Sequence, residues 1–236
     1  MKFVLIGGKV NKDILDNNIE KEVIESIGKK IPKILFCPLA AIDTDKSIKK
    51  FKELIKDIVC EINIFDYHNI NDLDNLLNSN DIFYVGGGNA NHLVEVFKNY
   101  NLDKVLINHL DDDITYIGSS AGAMLVTLKS LGDRDIYQDN FHIYNYKMVD
   151  CLDILHISIC PHFQNEDLII YNDEVKKLDV PSFGIEEGGA LVIDNDKYYI
   201  LKDNNKNMVY YYPQNTKLMT PLIRGEVYEE NSGFRS

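Results

Sequence analysis

The chain has 236 residues, of which 45% are hydrophobic and 26% charged, a composition that fits a globular protein with a substantial core. Its formal net charge of −12 argues against a nucleic-acid partner, because phosphate binding requires a basic surface. No apolar run approaches the ~20 residues of a membrane span, so no membrane association is expected. The four cysteines lie far apart without a C-x-x-C pair, which favours buried thiols in a reducing, cytoplasmic setting over disulfides or metal ligands.

Short apolar segments alternate with amphipathic segments of helical length through the first half of the chain. The opening segment, KFVLIG, is too short for a signal sequence and is typical of a buried first strand. Alternation of strands and helices predicts right-handed crossovers and a mostly parallel sheet covered on both faces. The strands are predicted at 2–7, 33–40, 61–66, 81–87 and 114–118, and the helices at 11–28, 44–59, 70–79 and 90–111, the last with a break near Asn99.

The second half is predicted to begin with one helix after Ser120 and then to be rich in strands. Only residues 165–178 have a helical pattern there. No linker composition divides the chain, so residues 1–236 are predicted to form a single α/β domain. The predicted strands are 142–149, 154–160, 182–185, 190–194, 197–202 and 207–212.

Residues 116–123, YIGSSAGA, place two serines among small residues at the end of a predicted strand. The pattern G-x-S-x-G fits once, with Ser120 in the nucleophile position and Ser119 before it. In that motif the serine lies on a strained strand-to-helix turn with its Oγ exposed. A tight strand–helix junction with an incidental serine is the alternative, and the five residues alone favour neither interpretation.

A second strand ends in three glycines, in the stretch VGGGNANH at residues 85–92. This stretch lacks the third glycine of a dinucleotide-binding fingerprint and the lysine of a P-loop. Glycine backbone can instead present N–H groups to a tetrahedral oxyanion, and the candidate donors are Gly88 and Ala121. Ala121 would begin the helix after Ser120, where the helix dipole favours negative charge. Asn89, next in the run, is a candidate for substrate contact, and a tight turn without a ligand is the alternative.

A serine nucleophile needs a base, and His162 is the best placed histidine. It follows Pro161 directly after the predicted strand 154–160, at the edge where a sheet meets its ligand. Of the remaining histidines, His68 and His109 are expected to be solvated, His92 to begin a helix and His156 to lie in a strand.

Two stretches offer an acid that would orient the base. FGIEEGGAL places Glu186 and Glu187 between a strand and a glycine turn, in unusually apolar company for paired glutamates. GDRDI offers Asp133 and Asp135 in a predicted loop, where a turn-forming aspartate is the alternative. No cluster has the spacing of a closed zinc site and H-E-x-x-H does not occur, so no metal is expected.

Four segments together resemble the dipeptidase E-like and cyanophycinase-like serine peptidase family: YVGGGNANHL, YIGSSAGAML, ICPHFQN and FGIEEGGAL. The resemblance spans the chain from the first strand to about residue 200. It implies a three-layer α/β/α fold with a mostly parallel central sheet, flavodoxin-like and related to class I glutamine amidotransferases, with no cofactor. The roles it implies are Ser120 as nucleophile, His162 as base, Glu187 as acid with Asp135 as a competitor, and Gly88 and Ala121 as oxyanion donors.

The sequence therefore predicts a serine hydrolase that cleaves peptide bonds in small peptides. A catalytically silent binding or sensor protein on the same fold is the alternative, because two acids compete for one role. An α/β-hydrolase esterase also uses G-x-S-x-G, but there the acid precedes the histidine, whereas Glu187 follows His162.

The resemblance says less about the substrate than about the fold and the reaction class. Ser119 and Arg134 are further candidates for contact with the substrate. Strict specificity for an N-terminal aspartate is not expected, because Arg134 alone lies near the predicted site and two aspartates flank it. Monomer and homodimer both remain open.

Overall fold

The computed structural model describes residues 1–9, 16–133, 146–164, 167–214, 218–230 and 234. Strands and helices alternate through the first half of the chain, as the hydrophobic periodicity predicts. These elements are β1 (Lys2–Ile6), α1 (Asn18–Ser26), β2 (Lys33–Cys37), α2 (Thr44–Leu54), β3 (Glu61–Ile64), a 3-10 turn (Ile70–Asp72) that leads into α3 (Leu73–Ser79), β4 (Ile82–Val85), α4 (Ala90–Asn99), α5 (Leu102–Asn108) and β5 (Thr115–Ser119). The predicted break near Asn99 is confirmed, because α4 ends there and α5 begins three residues later.

The second half is dominated by strands. Its helices are short, and both lie where they were predicted. The elements are α6 (Ala121–Leu125), β6 (Thr127–Asp133), β7 (Tyr146–Asp150), β8 (Leu155–Pro161), α7 (Asp167–Val175), β9 (Ser182–Ile185), β10 (Gly189–Asp194), β11 (Lys197–Lys202), β12 (Val209–Tyr212), β13 (Thr220–Pro221) and β14 (Tyr228–Glu229). No helix in these described ranges is long and apolar enough to cross a membrane.

The larger sheet has eight strands in the order β14-β11-β10-β1-β5-β4-β2-β3. The five strands from β1 to β3 in that order run parallel to one another. On the other side of β1, β10, β11 and β14 pair antiparallel. The carboxyl ends of β1, β5 and β4 therefore lie side by side, which is the edge where the sequence analysis expects the site.

The smaller sheet has six strands in the order β13-β12-β9-β8-β6-β7, and it is also mixed. Within it β6, β8 and β9 run parallel, whereas β7, β12 and β13 are antiparallel to their neighbours. The expectation of one mostly parallel sheet therefore needs correction: the chain has an α/β fold with two mixed sheets.

Strand β6 was not predicted, and the segment up to Asp133 was expected to be a helix followed by a loop. The helix α6 instead ends at Leu125, and the Thr127 hydroxyl donates a hydrogen bond of 2.8 Å to the carbonyl of Met124. Thr127 and Ser130 are fully buried, and their hydroxyls lie 2.8 Å apart. Because these two polar residues hydrogen-bond to each other, they can be buried in the core. The segment therefore lacks the alternation of apolar and polar residues that would identify it as a strand.

Both faces of the parallel strands are covered by apolar side chains. In β1, Phe3 and Leu5 face one core, and Val4 and Ile6 face the other. Helices α1 and α2 contribute to the second core, and α4, α5 and α6 contribute to the first. Continuous apolar strands of this kind are typical of a sheet with both faces buried.

A buried ionic cluster joins the segment after β1 to α1 and to the segment after β11. The ammonium group of Lys9 lies 2.7 Å from Glu20 and 3.0 Å from Asp203, and both carboxylates are almost fully buried. The Tyr84 hydroxyl donates a hydrogen bond of 3.1 Å to Glu20. Burial raises the pKa of the Glu20 carboxyl. Desolvation works against the charge of Lys9, but attraction to the two carboxylates outweighs it and raises the pKa of Lys9.

Replacing Lys9 tests how much this cluster stabilises the fold. We expect Lys9→Met to lower the free energy of unfolding by about 3 kcal/mol, because two buried carboxylates lose their counter-charge. The matched control is Lys21→Met, which removes an exposed pair with Glu25 on α1 and should cost less than about 1 kcal/mol. Urea denaturation of both variants measures the difference, and equal losses would contradict a stabilising role for the cluster.

Candidate active site

Ser120 lies between β5 and α6 with a backbone conformation that non-glycine residues rarely adopt. Its φ is 52° and its ψ is −111°. The Ser120 N–H donates to the carbonyl of Ile6 at 3.0 Å, and its carbonyl accepts from the N–H of Met124 at 3.0 Å. A strained conformation costs on the order of 1–3 kcal/mol and persists only where the surroundings hold it, so this turn has the geometry expected of a nucleophile elbow.

The small residues around Ser120 are explained by close backbone contacts. A Cβ atom on Gly118 would lie 2.3 Å from the carbonyl oxygen of Gly122, and one on Gly122 would lie 2.1 Å from that of Val85. The Tyr116 hydroxyl also donates to the Gly122 carbonyl at 2.6 Å. The elbow therefore packs directly against the end of β4, and larger residues cannot occupy these positions.

His162 follows β8 of the smaller sheet and reaches across to the serine. Its Nε2 atom lies 2.8 Å from the Ser120 Oγ. Its backbone N–H donates to the carbonyl of Gly7 at 2.8 Å, and its φ of 53° again lies in the left-handed region. The side chain is 42% exposed, so the ring is open to a molecule that approaches the serine.

Glu187 completes a chain of hydrogen bonds from the other side of the histidine. Its Oε1 atom lies 2.7 Å from the His162 Nδ1. The Glu187 carbonyl accepts from the Asn207 side chain at 2.7 Å, which fixes the turn between β9 and β10. A carboxylate at Nδ1 favours a proton on that nitrogen, which leaves Nε2 free to accept the serine proton.

Glu186, the neighbouring acid, is used differently. Its carboxylate accepts hydrogen bonds from the backbone N–H of Met208 at 2.9 Å and from the Tyr210 hydroxyl at 3.1 Å. It therefore ties the β9–β10 turn to β12. The two adjacent glutamates thus have separate partners, one structural and one at the histidine.

The end of β1 holds the three segments of this site together. Successive carbonyls of Ile6, Gly7 and Gly8 accept the backbone N–H groups of Ser120, His162 and Gly188, at 3.0, 2.8 and 2.8 Å. This contribution of Gly7 and Gly8 is not among the features predicted from the sequence. A glycine pair at the end of a strand, on the edge that also carries the predicted serine, was the signal that could have found them.

Gly8 also supports the imidazole ring directly. Its φ is 122°, and a Cβ atom there would lie 2.2 Å from the Cε1 atom of His162. A Cβ atom on Gly7 would lie 2.4 Å from the carbonyl oxygens of Ile185 and Glu186. Both glycines are therefore required by close approach of neighbouring groups.

The glycine run after β4 passes beside Ser120. A Cβ atom on Gly87 would lie 3.2 Å from the Ser120 Cβ, so the backbone there is in contact with the serine. Gly88 has a φ of 151°, and a Cβ atom on it would lie 2.0 Å from the Ala40 carbonyl oxygen. Among the hydrogen bonds of the described residues, none uses the Gly88 or Ala121 N–H as a donor.

The other predicted site residues have varied positions. Asn89 caps α4, because its side chain accepts from the His92 N–H at 3.0 Å. Ser119 ends β5 and lines a cleft beside the serine. Arg134 and Asp135 lie outside the described residues, so their predicted roles remain predictions.

In the described part of the chain, three of the other histidines have a hydrogen-bond partner for the ring: His92, His109 and His156. His109 was expected to be solvated, and this prediction is wrong. The residue is 5% exposed, and its two ring nitrogens lie 2.6 Å from Asp112 and 3.0 Å from Asp74. The His92 ring pairs with the Tyr67 hydroxyl at 3.0 Å.

Residues 3–201 match the family model of peptidase family S51. The chain belongs to peptidase family S51. It is a serine-type peptidase related to dipeptidase E, as the resemblance of its motifs predicts.

Relatives in this family share about a quarter of their residues with the chain. An uncharacterized peptidase, YgaJ, from Bacillus subtilis is 24% identical over 82% of this chain and 83% of its own length. A Peptidase E from Nostoc is also 24% identical, over 81% of this chain and 84% of its own. The likeness therefore extends over most of both proteins.

Two solved structures share the fold at lower identity. A peptidase from an acI-B1 actinobacterium superposes with a TM-score of 0.68 at 18% identity, covering 97% of this chain and 96% of that one. A protein described as a putative Peptidase E from Listeria monocytogenes has a TM-score of 0.62 at 19% identity, covering 85% and 98%. These matches extend the comparison over nearly the whole fold.

The role of Gly8 is tested by adding one methyl group. We expect Gly8→Ala to lower kcat/KM by about a hundredfold or more, because the added Cβ must displace the His162 ring. Gly28→Ala is the matched control: Gly28 also has a positive φ, 72°, but a Cβ there meets open space. Both variants should lose stability, and only the first should lose most of its peptidase activity. Similar activity in the two variants would show that the ring tolerates the contact.

Proposed function

We propose that this S51 peptidase hydrolyses peptide bonds in small peptides with Ser120, His162 and Glu187 as a catalytic triad. The observation that carries the proposal is the continuous hydrogen-bond chain from the Ser120 Oγ to the His162 Nε2 at 2.8 Å and from its Nδ1 to Glu187 at 2.7 Å. The strained conformation of Ser120 supports the same assignment, since such strain is concentrated at functional sites.

In this mechanism the Ser120 Oγ attacks the substrate carbonyl while the His162 Nε2 takes the hydroxyl proton. Glu187 stabilises the imidazolium that forms. The carbonyl oxygen becomes an oxyanion, which accepts from the N–H groups of Gly88 and Ala121. The imidazolium then protonates the leaving amine as the C–N bond breaks, and water hydrolyses the acyl-enzyme by the reverse proton transfers.

Glu187 is proposed as the acid in preference to Asp135. Its carboxylate is within hydrogen-bond distance of the histidine, and the fixed turn between β9 and β10 holds its backbone. Glu186 is not proposed, because its carboxylate is already used by the Met208 N–H and the Tyr210 hydroxyl.

The layer arrangement of the fold and the cellular location of the protein are further parts of this proposal. We assign the parallel half of the larger sheet, with α1 and α2 on one face and α4 to α6 on the other, to a three-layer arrangement like that of class I glutamine amidotransferases. We further infer a cytoplasmic enzyme whose partner is a small peptide. The three buried cysteines among four free thiols are consistent with a reducing setting.

Removing the nucleophile or the base tests the triad. We expect Ser120→Ala and His162→Ala each to lower kcat by about 10⁴-fold or more while the protein stays folded. The double variant should be little worse than either single variant, because the two groups act as a unit. Hydrolysis of a dipeptide library measures this, with thermal unfolding as the control for the fold.

A fluorophosphonate probe provides an independent measurement. The probe should label the wild-type protein at Ser120 and should not label Ser120→Ala. A folded protein that is not labelled would favour a catalytically silent binding protein. An active Ser120→Ala variant together with an inactive Ser119→Ala variant would assign the nucleophile to Ser119.

The identity of the acid is tested by two neighbouring substitutions. We expect Glu187→Gln to lower kcat by about 10⁴-fold, because an amide does not stabilise the imidazolium and favours the wrong tautomer. Glu186→Gln is the matched control, and it should lower stability more than kcat because its contacts are structural. Steady-state kinetics on both variants and on Asp135→Asn rank the three acids. A larger loss in Asp135→Asn than in Glu187→Gln would assign the role to Asp135.

A further inference from the structure

A cleft of about 290 Å³ opens directly beside the serine. It lies between α2 and the carboxyl ends of the parallel strands. Two of its lining residues, Ser119 and Gly87, are in the immediate surroundings of Ser120. The others come from α2, β2, β4 and the segments that follow β4 and β1: Ser47, Lys50, Phe51, Leu54, Phe36, Tyr84, Gly86 and Lys9.

The strand order indicates which part of a substrate meets this cleft. His162 is bound to the end of β1, on one side of β5, the strand that ends directly before Ser120. Most of the cleft is formed on the other side, by β4, β2 and α2. The leaving amine must face His162 to receive its proton, so the residue on the acyl side of the scissile bond lies toward the cleft.

The wall of the cleft is largely aromatic. The rings of Phe36 and Phe51 stack with centroids 4.0 Å apart, and Tyr84 lies 4.7 Å from Phe51 in a tilted arrangement. Leu54 continues this apolar surface along α2. Rings packed against each other in this way form a rigid apolar wall.

The charged groups of the cleft are poorly suited to bind a charged substrate side chain. The Lys9 ammonium is already bound by Glu20 and Asp203, so an entering carboxylate would compete with two carboxylates. An entering cation would instead meet Lys9 itself. Lys50 is exposed at the rim, where solvent screens its charge.

We propose that this cleft binds the side chain on the acyl side of the scissile bond and selects uncharged, apolar side chains such as leucine. The proposal rests on the proposed peptidase function, because it takes Ser120 as the nucleophile. It assigns substrate choice to the surface formed by Phe51, Leu54 and Tyr84, with Ser47 at its edge on α2.

A dipeptide series with one leaving residue tests the proposal. We expect kcat/KM for Leu-Ala to exceed that for Ala-Ala by about tenfold or more, since an apolar pocket gains from each added methylene. Asp-Ala and Lys-Ala should both fall below Ala-Ala. A preference for Asp-Ala or Lys-Ala, or equal values for Leu-Ala and Ala-Ala, would overturn the proposal.

A variant that narrows the cleft is the second test of the proposal. Ser47→Phe should bring kcat/KM for Leu-Ala close to that for Ala-Ala, because the added ring fills the space that the larger side chain needs. Lys49→Phe adds the same ring to α2 at an exposed position outside the cleft, and it should leave the preference unchanged. If Ser47→Phe does not fold, Ser47→Leu is used in its place, because leucine adds a smaller side chain to the cleft. An unchanged preference in the folded Ser47 variant would overturn the assignment to this cleft.

Binding to Ser120→Ala separates this proposal from the proposed function. If the wild-type protein hydrolyses none of the dipeptides, the peptidase proposal fails, and calorimetric titration of Ser120→Ala still tests the cleft. Tighter binding of Leu-Ala than of Ala-Ala and Asp-Ala, lost when Ser47→Phe is added, supports the cleft. Equal binding of the three dipeptides would refute it.

Discussion

The site depends on a short run of backbone at the end of β1. Three successive carbonyls there accept N–H groups from three separate segments: the β5–α6 turn, the residue after β8, and the β9–β10 turn. Because the acceptors are neighbours in one segment, the positions of the three donors relative to one another are set by backbone geometry. The serine, histidine and glutamate side chains therefore start from fixed points, which is the preorganisation that the proposed triad requires.

This arrangement also explains how the fold tolerates local strain. Ser120 and His162 both have positive φ, at 52° and 53°, and each would cost on the order of 1–3 kcal/mol in isolation. Each donates its N–H to the end of β1 in that conformation, so the strain is offset by bonds that also hold the site. Directly after this run, Lys9 binds Glu20 and Asp203, which anchors the segment to α1 and to the end of β11.

The sequence predicts the parts of the molecule that depend on local pattern. Of the parallel strands, β1, β2 and β4 have continuous apolar runs and β3 alternates between polar and apolar residues. The elbow around Ser120 has a recognisable spacing of small residues. Strand β6 escaped prediction because buried Thr127 and Ser130 satisfy each other, which is a tertiary property. The need for glycine at position 8 is tertiary too, since the group it accommodates is the ring of His162, far along the chain. Local pattern alone does not distinguish Glu186 from Glu187, because their partners come from β12 with the residue before it and from the histidine; the family resemblance is what pointed to Glu187.

The proposed catalytic groups and the proposed substrate cleft lie in different parts of this fold. The segments that carry Ser120, His162 and Glu187 are held by backbone hydrogen bonds at the end of β1, whereas the proposed cleft is walled by side chains of α2, β2 and β4. Side chains on α2 that face the cleft, such as Ser47, do not contact Ser120 or His162 through any hydrogen bond in the described part of the chain. Lys9, which lines the cleft, is bound by the buried carboxylates of Glu20 and Asp203. Under the proposal, an acidic substrate side chain would therefore have to compete with two carboxylates for this ammonium group, which is why an apolar side chain is expected to bind better.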